Sequence, residues 1–124
     1  MSDTQTASRQ IIDAVGSWPG VDVRPNRRGA LAFFVDRREL GHLHGDRVLH
    51  TAFPKALWNE LHDQGRIAHH PIFPDREGPA SRRIEDEADI ADVIALLRLN
   101  YERGTGTRSA QTAASAPSST SAST

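Results

Sequence analysis

Arg38-Glu39-Leu40-Gly41-His42-Leu43-His44-Gly45-Asp46 is the stretch on which the fold turns. A strand over 38–44 alternates its side chains, so Leu40, His42 and His44 are expected on one face and Gly41 and Leu43 on the other. Gly45-Asp46 turns the chain into a further strand over 48–52. Upstream, Asp36-Arg37 is a tight connection from a strand over 30–35, whose Leu31, Phe33 and Val35 share a face. Pro25-Asn26-Arg27-Arg28-Gly29 is a turn, and residues 21–24 alternate as a short strand before it. Consecutive strands joined by short turns describe an antiparallel meander.

Helical periodicity flanks this block. Ala7, Ile11, Ala14, Val15 and Trp18 form one stripe, stopped by Trp18-Pro19-Gly20. Pro54 suits the first turn of a helix carrying Leu57, Trp58 and Leu61, with Gly65 as its stop. Residues 66–79 read as irregular, and 80–84 as one more strand candidate. Ile90, Val93, Ile94, Leu97 and Tyr101 then recur at helical spacing, with Asp86 as cap and Gly104 as stop. The expected fold is α+β: an antiparallel meander of four to five strands packed by three helices on one face. Residues 1–103 make one domain. Residues 104–124, mostly Ser, Thr, Ala and Gly, offer nothing to bury and are expected to be a disordered tail.

Composition narrows the chemistry. With 37% hydrophobic and 25% charged residues the chain is an ordinary globular protein. A net charge of −1 argues against nucleic acid and anionic membrane as partners. Cysteine is absent, which excludes disulfides, thiolate nucleophiles and Cys-ligated zinc. Six histidines are then the groups that titrate near neutrality. No basic segment followed by an apolar run stands at the N-terminus, and no apolar run is long enough for a membrane span. A cytoplasmic protein is expected.

His42 and His44, two apart on a strand, can chelate one metal or grip one substrate from two points. A metal site needs a further ligand, which Asp46, His50, His69 or His70 could supply. His69-His70-Pro71 follows a helix, in a loop where functional residues concentrate. His62 reads as surface. Arg24, Arg27, Arg28, Arg37, Arg38 and Arg47 crowd the hairpins and could meet an anionic ligand. The flanking glycines would let something approach the strand closely.

The run from Arg38 to His44 resembles the luciferase domain family, which holds short bacterial proteins of unknown role and the luciferases of bioluminescent fungi. The likeness continues through Val48-Leu49-His50, the Leu61 helix with Gly65, and His70-Pro71 to Tyr101. In the fungal enzymes a hydroxylated pyrone reacts with molecular oxygen, and carbon dioxide and light are released without metal or flavin. The resemblance implies a pocket lined by His42, His44, His50 and His70, with Arg38 and Glu39 beside them. His42, His44 and His70 would be catalytic; Arg38, Glu39 and His50 would bind substrate; no cofactor and no metal would be needed. Where family members commonly carry a Trp, this chain reads Gly78-Pro79-Ala80-Ser81, and light emission is not expected.

The resulting expectation is a protein that binds a small enolic or anionic molecule in a His-rich pocket, as a cofactor-independent oxygenase or decarboxylase. The alternatives are a non-catalytic module using its arginine-rich hairpins on nucleic acid or a protein partner, and a histidine-based metal protein.

Overall fold

The computed structural model describes residues 6–115, with side chains up to Arg103. Its elements are α1 (Ala7–Gly16), β1 (Val21–Pro25), β2 (Leu31–Val35), β3 (Arg38–His44), β4 (Val48–Ala52), α2 (Lys55–Asp63), β5 (Ala68–His69), β6 (Pro79–Arg83) and α3 (Glu87–Ser115). The strands form one antiparallel sheet in the order β1-β2-β3-β4-β6-β5. This is the expected α+β meander as far as β4. Beyond it, β6 inserts beside β4 and leaves β5 at the edge. The additional strand, β5, is two residues long, too short to carry a periodic signal in a stretch that reads as irregular.

Local chemistry sets the element ends. Thr6 caps α1 by accepting from Arg9 N, and Asp86 caps α3 by accepting from Asp89 N. Gly65 ends α2 at φ 74, while Gly65 N and Arg66 N return to the carbonyls of His62 and Leu61. The β2–β3 turn holds Asp36 at φ 57, a region that aspartate tolerates better than most side chains. α3 does not stop at Gly104 but continues to Ser115. A glycine weakens a helix by about 1 kcal/mol relative to alanine but does not forbid it, and the next proline comes only at Pro117. Residues 1–5 and 116–124 lie outside the described residues, and with them the outer part of the expected tail. Among the described residues no helix is long and apolar enough to cross a membrane.

The helices cover one face of the sheet. The larger core joins Ile11 and Val15 of α1 and Ile90, Val93, Leu97 and Tyr101 of α3 to Phe33, Val35, Leu40, Leu43 and Leu49 of the sheet. A second cluster joins Trp58 and Leu61 of α2 to Ala80 of β6 and Leu96 of α3. Gly41 is the point of closest approach. A Cβ there would meet Leu97 Cδ2 at 3.0 Å, His50 O at 3.1 Å and Thr51 Cβ at 3.2 Å. What approaches this glycine is thus α3 and the neighbouring strand.

Leu40 does not follow the expected alternation. It is buried in the same core as Leu43, while His42 and His44 face the other way. The cause is a β-bulge. Gly41 pairs with Phe33 and Glu39 with Phe34, so Leu40 is an extra residue and the parity of the strand changes across it. The bulge carbonyl is not left orphaned. Leu40 O accepts from Thr51 Oγ1 at 2.7 Å and from Nδ2 of the buried Asn100 at 3.1 Å.

Candidate functional site

The sheet face away from the helices carries the histidines. His42 and His50 are direct cross-strand partners on β3 and β4, and His44 lies two residues along. Cross-strand neighbours on one face are close by construction, and the ring centroids follow. His42 is 5.1 Å from His44 and 5.5 Å from His50, and His44 is 4.4 Å from His50. The loop between β5 and β6 adds His70, whose ring lies 4.0 Å from that of His50. All four imidazoles line one cleft of about 1140 Å³.

Glu39 belongs to the same group. Its Oε2 lies 2.6 Å from His42 Nδ1, and because a carboxylate only accepts, His42 donates from Nδ1 and keeps the lone pair on Nε2. His70 is held in the opposite sense. Ile72 N donates to its Nδ1 at 3.1 Å, so the neutral ring carries its proton on Nε2. Burial pushes His50 down to about 4, helped by the neighbouring charges of His70, His44 and His42. Burial also lowers His70, with His42, His44 and Arg28 adding to the effect. Both shifts favour the neutral imidazole, and with Nδ1 of His70 accepting from Ile72 N it is Nε2 that this ring can turn to a ligand.

The rest of the cleft is mixed in character. Arg24, Arg27, Arg28 and Arg37 line one side, so these arginines of the hairpins and the histidines face one cleft. Arg24 lies over the Phe34 ring, 3.9 Å from its centroid, and pairs with Asp22. Ile72 and Phe73 close another side and are exposed by 61% and 38%, the large apolar side chains most open to solvent among the described residues. Sequence reasoning missed Phe34, Ile72 and Phe73. A signal existed for the last two, since an apolar pair between Pro71 and Pro74 in a polar loop has no core to serve.

Other candidates go elsewhere. Arg38 is on the helix side of the sheet, where its guanidinium donates to Asn100 O at 2.7 Å, and it does not line the cleft. Asp46 accepts from Ser8 N and ties the β3–β4 turn to the start of α1. His69 packs on Trp58 at 4.7 Å and near His62, on the α2 side. His62 is exposed, stacked on Trp58.

The family model described as Luciferase domain matches residues 37–100, just over half of the 124-residue chain. That span contains Glu39 and every histidine of the cleft. No curated protein and no solved structure matches the chain.

Proposed function

The chain belongs to the luciferase domain family, and from that premise we propose that it binds a small enolic or anionic molecule in the histidine cleft and acts on it as an oxygenase or decarboxylase. One observation carries the reading: four imidazoles meet on a single concave surface whose other side is lined by arginines. Imidazoles can take an enolic proton near neutrality, and N–H donors with arginine stabilise the anion that remains. His42, His44 and His70 are the groups that act on the proton and the anion, and Glu39 and His50 complete the binding surface. The flanking Phe34 and Phe73 suit a flat ring.

In the oxygenase form the enolic proton passes to an imidazole nitrogen. The carbon of the enolate bonds to molecular oxygen, the co-substrate, which takes up the electron pair; the peroxide then breaks down with loss of carbon dioxide. Light emission is not part of this reading, because a family name is not an activity.

The test uses a hydroxylated pyrone as probe. Calorimetry should show one-to-one binding to the full chain, abolished in His42→Ala and in His44→Ala with the fold intact by circular dichroism. Oxygen uptake with release of carbon dioxide should accompany turnover. Binding unchanged in both variants, or no binding by the parent chain, would overturn the proposal.

A further inference from the structure

We propose that His42, His44 and His50 form a site for one divalent transition-metal ion, with Glu39 as the group that orients His42. Each histidine offers one ring nitrogen, and these three atoms all lie within 4.8 Å of one another. Ligands bound tetrahedrally to one ion at about 2.1 Å would stand about 3.4 Å apart. Closing the triad therefore takes about an ångström of ring movement, within the reach of small side-chain rotations.

Two further features point the same way. His42 Nδ1 is occupied by the Glu39 carboxylate, which leaves Nε2 as the free ligand atom. A carboxylate behind a ligating imidazole is the usual arrangement that fixes its tautomer and raises its basicity. The backbone also presets the spacing, since His42 and His50 are ladder partners and His44 is on the same face. The donor set is three imidazoles, which suits zinc, iron(II), nickel or copper and disfavours calcium and magnesium. Three protein ligands leave a coordination position open, and all three line the cleft. An ion held there occupies the ring lone pair of His42 and engages His44, so the ion and the proton transfer proposed above are alternative uses of the same side chains, and the binding of the ion does not rest on that function.

The experiment uses the untagged full chain, stripped with a chelator and titrated with cobalt(II), a coloured stand-in for zinc. One equivalent should bind, with visible bands of a four- or five-coordinate ion. Binding should be abolished in His44→Ala and His50→Ala, and weakened by about 10–100-fold in Glu39→Gln. His62→Ala should leave it unchanged. His44 is exposed, so the thermal midpoint of the metal-free His44→Ala variant should match the parent. Absence of saturable one-to-one binding in the micromolar range, or equal affinity in His44→Ala, would overturn the site. Pyrone binding to the metal-free chain is a separate readout. Its loss would count against the proposed function, while the cobalt titration alone decides the metal.

Discussion

Glu39 Oε2 lies 2.6 Å from His42 Nδ1, although the two residues are three apart on one strand and regular alternation would put them on opposite faces. The bulge at Leu40 removes the conflict. It turns Leu40 into the core, brings Glu39 to the histidine face, and leaves a carbonyl that Thr51 and Asn100 satisfy.

Asn100 is accordingly a support for the site from the far side of the sheet. Its Nδ2 donates to Leu40 O, Thr51 Oγ1 and Ala52 O. Asn100→Ala is expected to destabilise by about 1–3 kcal/mol, the range for leaving buried polar groups short of partners. Urea unfolding measures it. A loss near zero would mean that the bulge holds without Asn100.

Gly41 and Leu97 should be coupled. Gly41→Ala is expected to cost about 1–3 kcal/mol by overpacking, because its Cβ would meet Leu97 Cδ2 at 3.0 Å and His50 O at 3.1 Å. Leu97→Ala should cost about 2–5 kcal/mol, as a fully buried leucine does. The double variant should be more stable than the two losses added, since one of the crowding atoms is gone while the carbonyl remains. Strict additivity in a double-mutant cycle would contradict the contact.

Acid should weaken the anchorage of α3. Hydrogen bonds from Arg82, then from Glu85 N, hold the Asp89 carboxyl below its ordinary value. A carboxylate whose pKa is lower in the folded state contributes stability that is present above the unfolded value of 3.8 and is lost as pH falls through the folded one. The parent should therefore lose stability below about pH 4 more steeply than Asp89→Asn. Thermal midpoints from about pH 2 to about pH 6, about two units either side of pH 4, would show it. Parallel curves would remove Asp89 from the acid response.

We propose that the domain ends at Arg103. Tyr101 is the last buried side chain among those described, and its hydroxyl donates to Pro19 O at 2.7 Å. Deleting residues 104–124 should leave the thermal midpoint within about one degree. A fall of several degrees would show that this segment packs on the domain.

What the residues determine by themselves is whatever depends on neighbours a few positions away. Two-residue alternation sets His42 and His44 on one face. Periods of three and four place Ile90, Val93, Leu97 and Tyr101 on another, and Thr6, Gly65 and Asp86 mark helix ends by local hydrogen bonding. The bulge at Leu40 is of another kind. Its partners come from far along the chain: Leu97 leaves no room for a Cβ at Gly41, and Asn100 donates to the Leu40 carbonyl. No local pattern encodes that, so alternation alone makes the strand regular and would turn Glu39 away from His42, whereas the family likeness puts Glu39 beside the histidines. The same limit applies to Arg38, which is spent on the Asn100 carbonyl, and to Ile72 and Phe73, whose place at the cleft follows from the path of the loop. Only tertiary contact decides these positions, because the energy that selects them lies in partners distant along the chain.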